Sequence, residues 1–436
     1  MLRASVTALC VLLSLCLMAA YMHVVALRGE HWIITDFQLF YSSIQHAVQG
    51  HSLYAPTDWH QFVGYFKSNH PAYVKTLAYS RNLNTPFVML FFLPLASLSY
   101  AHAFIVFSLF SLLVVVMSIA LLTSAYSQRW NGLLFSGWLL GILAFYPTYK
   151  AIYMGEPAIL LLLWTTLAWR ALLRGKLNQL GFWLGIAVSF KWFMGLFAIS
   201  LLLQKQWRVF IIMSVTFVIA NAMALQVFGW QQAVDYFQAL HQIYWYAANW
   251  NISFLGYWAK LLGVGKGHGF LQWPVATWGL TALCSSIVLT WLVSLHREWG
   301  MGDIAWFPVT LCAAILLSPL GWQYDLPLCV IPLFMLAMRL PSFNERVMPT
   351  WGLLAVVTGL GFNYWASALV DQQFSMRTVL IFSLPFYALI ALMVWSRTIQ
   401  FPTYPLQSTS LLDRAIKVGL FSIPLGLTVL LVTHVH

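Results

Sequence analysis

The sequence predicts an all-α integral membrane protein that crosses a bilayer many times. Hydrophobic residues occupy 61% of the 436 positions and charged residues only 8%, whereas about a quarter of the residues of a soluble domain are charged. Apolar stretches of roughly twenty residues, each long enough to cross a ~30 Å hydrocarbon core, recur from Ser5 to Val435. We therefore interpret residues 1–436 as one membrane domain without a separate soluble unit.

The charge and the cysteines exclude two other classes of protein. The net charge is +11, but the basic residues stand in ones and twos between apolar segments and form no patch for nucleic acid. All five cysteines lie inside apolar segments, so no disulfide framework is predicted. Arg3 precedes an apolar run, residues 4–27, that is longer than the core of a signal peptide. We interpret that run as a retained first helix.

Eleven apolar segments are predicted to cross the bilayer. They are 5–27, 100–126, 132–149, 157–173, 209–228, 274–295, 304–318, 326–339, 350–370, 378–396 and 416–434. Two further segments are irregular, because Pro86 and Pro94 interrupt residues 85–99 and Lys191 interrupts residues 180–203. We expect the first to dip into the membrane without crossing, and the second to form a re-entrant hairpin with Lys191 near its tip.

The distribution of Lys and Arg orients these segments, since short cytoplasmic loops collect basic residues. With the N-terminus inside and the C-terminus outside, the cytoplasmic side carries thirteen basic residues and four acids, against nine and seven outside. Two polar stretches, 28–84 and 229–273, then share the outer face with the short loops 150–156, 318–325 and 371–377. Channels and carriers more often hold polar groups at mid-membrane. This distribution therefore favours an enzyme that acts at the outer interface.

Asp36 and Glu156 are the acids on this face that suit chemistry best. Desolvation among apolar and aromatic neighbours would raise the pKa of Asp36, as a general base requires. The alternative is that Asp36 caps a helix over 37–49. Glu156, between Gly155 and Pro157, could face Asp36 across a cavity or could place a charge at a helix N-terminus. The spacing leaves these alternatives open.

Lys191 is the most anomalous residue, with eleven mainly apolar positions before it in its segment and twelve after it. An unpaired ammonium at mid-membrane costs about 2.5–3.5 kcal/mol, unless the side chain extends to the surface. A hairpin tip that faces a bound phosphate removes this cost, and we favour that interpretation. The histidines and cysteines match no zinc pattern, so no metal is predicted.

Short motifs occur in a recognisable order along the chain. They are Asp36-Phe-Gln-Leu-Phe-Tyr41, Ala47-Val-Gln-Gly50, Ser52-Leu-Tyr54, Asn84-Thr-Pro86, Leu93-Pro-Leu95, Gly155, Arg174-Gly-Lys176, Gly185-Ile-Ala-Val-Ser-Phe-Lys191, Asn251-Ile-Ser253, and Leu317-Ser-Pro319 with Trp322. Each motif is weak alone, but the ordered set resembles glycosyltransferase family 87.

The resemblance implies a GT-C fold and an inverting glycosyl transfer at the outer face of the plasma membrane. The donor would be a polyprenyl-phosphate sugar, foremost mannose, the acceptor a glycolipid or glycan hydroxyl, and no cofactor is implied. Asp36 would be the catalytic base, and Lys191, Arg81 and His70 would bind the donor phosphate. The residues expected to bind substrate are Glu156, Tyr41, Trp322, Gln323, Tyr324 and Asn251.

The chain departs from the family pattern at two places. The family often has Gly-Gln where this chain has Gly155-Glu156, and it tends to carry a His where this chain reads Gln323-Tyr324-Asp325. These departures leave open a GT-C enzyme with a different sugar and acceptor. A non-enzymatic lipid or solute transporter is the alternative from another class, although no repeat between halves is visible.

Overall fold

A computed structural model describes residues 2–31, 35–55, 81–126, 131–243, 246–264, 271–299, 303–339, 347–361 and 375–398. Of these residues, 81% are helical. They contain no strand apart from an isolated antiparallel bridge between Asn251 and Trp322. His70 and the predicted span 416–434 lie outside the described residues.

The helices follow the apolar segments of the sequence. The α-helices of the described ranges are α1 (Leu2–His31), α2 (Asp36–Val48), α3 (Pro86–Met89), α4 (Tyr100–Tyr126), α5 (Gly132–Ala144), α6 (Tyr146–Met154), α7 (Ala158–Leu173), α8 (Leu177–Phe190), α9 (Leu196–Leu203), α10 (Trp207–Phe228), α11 (Gln231–Leu240), α12 (Phe254–Leu262), α13 (Pro274–Glu298), α14 (Trp306–Leu317), α15 (Val330–Arg339), α16 (Val347–Gly361), α17 (Met376–Phe382) and α18 (Leu384–Ser396). The 3-10 helices there are Leu93–Ser97, Trp192–Gly195 and Gln323–Cys329.

Several of these helices suit a membrane. By length and composition, α1, α4, α10 and α13 could each cross a bilayer, and the bent pairs α5–α6 and α17–α18 could do so as pairs. The core lies around α7 and α14, whereas α1, α10 and α13 expose large apolar side chains such as Leu12, Val218 and Ile287. Apolar exposure on this scale is typical of helices in contact with lipid. The count of eleven crossings stays a prediction.

The predicted span 132–149 is bent. Its two helices, α5 and α6, meet at 63° around Phe145, and Pro147 lies in the first turn of α6, where its missing N–H costs no hydrogen bond. Lys150 is therefore inside a helix. The prediction that a loop begins at Lys150 is wrong, and only residues 155–157 form the turn to α7.

The chain reverses its direction at Lys191. Near the start of α8, Asn178 accepts a 2.9 Å hydrogen bond from Arg208 at the start of α10, and near the end of α8 Ser189 accepts a 3.2 Å bond from Asn221. These two contacts make α8 and α10 parallel. The segment between them must therefore return along α8, which it does through the extended backbone of Lys191 (φ −139°, ψ 117°) and α9. Lys191 lies at the tip of this hairpin.

Residues 85–99 form two short helices beside the hairpin. The α3 helix and the 3-10 helix Leu93–Ser97 are each far shorter than the roughly twenty residues that a full span needs. The Thr85 hydroxyl caps α3 and donates a 2.6 Å hydrogen bond to the Ser189 carbonyl. The segment is thereby attached to the end of α8 that leads into the hairpin tip.

The two predicted polar stretches meet at this same end of the molecule. The Ser52 hydroxyl donates a 2.6 Å hydrogen bond to Asp235, although the two residues are 183 positions apart. Trp192, at the hairpin tip, packs its ring against Tyr236 of α11 with centroids 5.6 Å apart. The polar stretches and the Lys191 hairpin tip thus share one end of the helical bundle.

Candidate active site

Asp36 is the first residue of α2, and its neighbours in sequence fix its position. Thr35 precedes the helix with extended backbone (φ −130°, ψ 158°), and its hydroxyl lies 2.9 Å from the Tyr100 hydroxyl. Phe37 is fully buried against aromatic rings that include Phe92 and Phe104. Thr35 occupies the N-cap position, so the alternative that Asp36 caps the helix is wrong.

The turn after α6 brings Glu156 to Asp36. Gly155 ends α6 in the left-handed conformation (φ 69°, ψ 35°), and backbone hydrogen bonds of 2.8 and 3.0 Å close a Schellman motif. A Cβ atom on Gly155 would lie only 2.4 Å from the Phe37 Cβ atom. Glycine therefore permits the contact between this turn and α2. The contact places the carboxyl groups of Glu156 and Asp36 within hydrogen-bonding reach of each other.

The segment before α15 adds a third acid. The bridge between Asn251 and Trp322, with backbone hydrogen bonds of 2.7 and 2.9 Å, holds the start of this segment. In the 3-10 helix that follows, the Tyr324 side chain forms a hydrogen bond with Asp36. Asp325 is fully buried, and its Oδ2 atom accepts the Trp322 N–H at 3.3 Å. Burial raises the pKa of Asp325 to about 6.

Lys191 supplies positive charge to this cluster from the hairpin tip. Its ammonium group acts electrostatically on Asp36, Glu156 and Asp325. The Lys191 side chain is half-buried. Even so, no carboxylate of the described residues forms an ion pair with it within 4.0 Å. The ammonium is close enough to stabilise negative charge in the cluster and is not neutralised by a direct partner.

Burial and mutual repulsion set the protonation of the two neighbouring carboxyls. Burial raises the pKa of Glu156 well above its usual range, and the charge of Asp36 raises it further. Burial also raises the pKa of Asp36, while a hydrogen bond with Glu156, the charges of Lys150 and Lys191 and a hydrogen bond with Tyr324 oppose that rise. Both pKa values are therefore raised, that of Glu156 more strongly, and the contact favours a state in which the pair carries one proton.

Three other predicted residues, Tyr41, Trp322 and Gln323, lie on the segments that carry the acids. The Tyr41 hydroxyl donates a 2.6 Å hydrogen bond to a backbone carbonyl just before α4, which fixes α2. Trp322 is half-buried and stacks on both Trp250 and Tyr324, with centroids 6.3 and 6.5 Å apart. Gln323 is buried beside them. The stacked rings form an aromatic wall next to the acids.

The remaining predicted residues lie in other surroundings. Asn251 is fully buried; its amide donates to two backbone carbonyls at 3.0 Å, and its Oδ1 atom accepts from the Ser253 N–H and hydroxyl. These bonds hold the loop, and a substrate contact of Asn251 stays a prediction. Arg81 donates to the Tyr54 carbonyl at 3.2 Å, and it forms no salt bridge with an acid of the described residues. His70 lies outside the described residues.

Two members of the cluster, Asp325 and Lys150, were not predicted from the sequence. Asp325 directly follows Tyr324, in the loop 318–325 that was predicted to lie on the outer face. This position next to a predicted substrate residue could have identified Asp325. The Lys150 ammonium lies 4.9 Å from the centroid of the Tyr153 ring. Lys150 was not identified because residues 150–156 were predicted to form a loop. In the structure α6 extends past Lys150, and the Lys150 charge acts on Asp36.

The arrangement can accept a proton and stabilise an anion. Three carboxyl groups, those of Asp36, Glu156 and Asp325, and the Lys191 ammonium converge from four separate segments. A carboxylate of raised pKa suits removal of a hydroxyl proton, and a preorganised cation suits a leaving group that gains negative charge. Across the described part of the chain, no three His, Cys, Asp or Glu side chains are arranged to hold a metal ion.

Comparison with known protein families identifies the family of the chain. A sequence model of glycosyltransferase family 87 matches residues 82–319, more than half of the chain. The matched region contains Glu156, Lys191 and Asn251, while Asp36 and Asp325 lie on either side of it. No curated protein and no solved structure matches the chain.

Proposed function

Because the chain belongs to glycosyltransferase family 87, we propose that it transfers a sugar from a polyprenyl-phosphate donor to an acceptor hydroxyl, with inversion at the anomeric carbon. Family membership makes the chain a glycosyltransferase. The finer proposal rests on one observation, the convergence of Asp36, Glu156 and Lys191 at one end of the helical bundle. We propose mannose as the sugar and a glycolipid or glycan as the acceptor.

Asp36 is the base in this proposal. Its carboxylate takes the proton from the acceptor hydroxyl while that oxygen forms its bond to the anomeric carbon. The bond between the anomeric carbon and the donor phosphate breaks on the opposite side, and its electron pair leaves with the phosphate. General bases work best when their pKa is near the operating pH. Burial moves the pKa of Asp36 in that direction.

Glu156 keeps Asp36 ionised and oriented. Two carboxylates in direct contact in a buried site cannot both carry a charge at low cost. The proton therefore resides on Glu156, whose pKa is raised well above its usual range by burial and by Asp36. The protonated Glu156 donates a hydrogen bond to Asp36, and the Tyr324 hydroxyl supplies a second. The base is thus positioned while it remains able to accept the acceptor proton.

Lys191 stabilises the departing phosphate. Its ammonium stands at the hairpin tip, without an ion-pair partner within 4.0 Å among the described carboxylates. A cation held in place before the reaction lowers the energy of charge that develops in the transition state. The phosphate also offsets the cost of an ammonium inside a membrane segment.

We place the reaction on the outer face of the plasma membrane. The charge distribution predicts that the two polar stretches lie there, and their contact through Ser52 and Asp235 agrees with a shared face. The polyprenyl chain of the donor would remain in the bilayer, so that its phosphate reaches the interface near Lys191.

Transfer by the purified chain tests this proposal. The protein in lipid nanodiscs is incubated with polyprenyl-phosphate mannose and an extract of cell-envelope glycolipids, and the products are analysed by mass spectrometry and by the anomeric signals in NMR. We expect transfer with inverted configuration, and none from a nucleotide-linked mannose. Transfer from the nucleotide sugar, or retained configuration, would contradict the proposal. Movement of lipid across vesicles without transfer would favour the transporter instead.

A further inference from the structure

A cavity with basic and aromatic residues in its lining lies at the end of α7 opposite the candidate active site. It has a volume of about 310 Å³ and lies against the turn between α7 and α8. Glu156 stands just before α7, and the sixteen residues of that helix span about 24 Å at 1.5 Å per residue. The cavity is thus separate from the acid cluster. Its lining includes Arg170, Arg174, Asn178, Gln179, Phe182 and Trp183.

The charge in this cavity is uncompensated. Arg170 lies in the last turn of α7 and Arg174 is the C-cap residue that follows it, four positions later, so the two like charges repel each other. The sequence contains no Asp or Glu between Glu156 and Asp235. Among the described residues, no carboxylate lies within 4.0 Å of either arginine. The Nε atom of Arg170 is buried and has no hydrogen-bond partner among the residues that the structure describes.

The backbone at this turn adds hydrogen-bond donors. Gly175, with φ 64°, closes a Schellman motif between α7 and α8. Lys176 then occupies the N-cap position of α8 without a side-chain cap. The Leu177 N–H donates to the Gly175 carbonyl at 3.1 Å, so the next two N–H groups of α8 are the ones that can bind an anion. Arg208, which donates to Asn178 at 2.9 Å, brings a third guanidinium to the rim.

The rest of the lining indicates a lipid. Phe182 is 43% exposed and leads from the cavity along the apolar surface of α8, next to Trp183. A soluble anion would not use such an apolar extension, whereas the acyl chains of a phospholipid would. The positive-inside distribution explains why basic residues occur on this face. It does not explain a cavity in which a buried Arg170 Nε atom lacks a partner.

We propose that this cavity binds the phosphate of an anionic phospholipid headgroup. Arg170 and Arg174 contact the phosphate oxygens, and the first turn of α8 donates its N–H groups to them. The acyl chains lie along Phe182 and Trp183. Basic pockets between membrane helices suit such headgroups. The site lies at the other end of α7, so its existence does not depend on the transfer reaction.

Lipid binding by native mass spectrometry tests the proposal. Phosphatidylglycerol and phosphatidylcholine are titrated separately into the delipidated full chain in neutral detergent. We expect tighter binding of phosphatidylglycerol, and a loss of about thirtyfold in Arg170→Gln/Arg174→Gln, which removes two headgroup contacts. The control Arg297→Gln/Arg377→Gln removes the same charge at two exposed positions outside the cavity and is expected to bind like the wild type.

Two further experiments complete the test. One distinguishes a lipid phosphate from free inorganic phosphate, and the other uses a single variant in case the double variant does not fold. Inorganic phosphate in large excess should not displace phosphatidylglycerol, and complete displacement would overturn the lipid in favour of a soluble anion. Arg174 is exposed, so Arg174→Gln folds even if the double variant does not, and we expect about fivefold weaker binding from it. Phosphatidylglycerol binding equal to wild type in these variants, or equal loss in the control, would overturn the site.

Discussion

Replacing Gly155 with alanine perturbs the contact on which the site depends. Gly155 has φ 69°, and a Cβ atom there would lie 2.4 Å from the Phe37 Cβ and 3.0 Å from its Cγ. Neither partner can give way easily, because Phe37 is fully buried among aromatic rings. We expect Gly155→Ala to push the turn away from α2 and to move Glu156 relative to Asp36.

The expected magnitude has two parts. An alanine in the left-handed conformation costs about 1–2 kcal/mol, and overpacking of a filled interior adds about 1–3 kcal/mol. Gly155→Ala should therefore lower the free energy of unfolding by about 2–5 kcal/mol. Displacement of a positioning group by about 1 Å can also slow a reaction about a hundredfold, and we expect a loss of transfer of that order.

Gly175 provides a matched control for this experiment. It also ends a helix in the left-handed conformation, with φ 64°, but a Cβ atom there would meet nothing within 4 Å. Gly175→Ala should show only the cost of an alanine in the left-handed conformation, a loss of about 1–2 kcal/mol in the free energy of unfolding, and it should retain sugar transfer. Thermal unfolding in detergent and transfer by the folded fraction measure both variants. Equal stability loss and equal transfer in the two variants would refute the argued role of the Gly155–Phe37 contact.

Three further predictions concern the charges of the cluster. Lys191→Met should weaken donor binding and move the acidic limb of the pH–rate profile to higher pH, since the Lys191 charge lowers the pKa of Asp36. Glu156→Gln preserves a hydrogen-bond donor and should transfer sugar at least tenfold faster than Glu156→Ala. The wild type loses stability as the pH rises through the raised pKa of Glu156, and Glu156→Gln should not show this loss. Asp325→Asn should gain up to about 3 kcal/mol over the wild type well above pH 6 and little below pH 4, because a pKa of about 6 disfavours ionisation in the folded state.

Donor titration, pH–rate profiles and melting temperatures measured across pH check these predictions. An unchanged donor affinity in Lys191→Met would remove Lys191 from the phosphate site. Equal rates for Glu156→Gln and Glu156→Ala would show that Glu156 donates no hydrogen bond to Asp36. If the difference in stability between Asp325→Asn and the wild type does not vary with pH, burial does not disfavour the ionised form of Asp325 in the folded state.

The sequence predicted the features that rest on residue type within a segment. A lysine between apolar runs predicted the reversal at Lys191, because a charge in an unbroken span is costly. The acids Asp36 and Glu156 were identified from their position beside apolar segments. Their direct contact was only one of two alternatives, since it depends on a Cβ-free Gly155 meeting Phe37 across more than a hundred positions.

Other features depend on tertiary packing and could not be predicted. The bend at Phe145 extends a helix past Lys150, and hydropathy alone does not distinguish a bent span from a straight one. Asp325 was predicted to lie in a surface loop, but it lies in a 3-10 helix and is completely buried. The substrate contact predicted for Asn251 stays a prediction, but the structure adds that its amide donates to the backbone carbonyls of Tyr246 and Pro319. In each case the partners become visible only in the folded chain.

The rate of Asp36→Asn with polyprenyl-phosphate mannose tests the central claim most directly. Asp235→Asn is the matched control, because Asp235 lies at the same end of the bundle but accepts its hydrogen bonds from Ser52 and Gln231. We expect Asp36→Asn to remain folded, to bind the donor and to transfer about 10²–10⁴-fold more slowly than the wild type, the range for loss of a general base, while Asp235→Asn transfers normally. Wild-type turnover in Asp36→Asn would contradict the account.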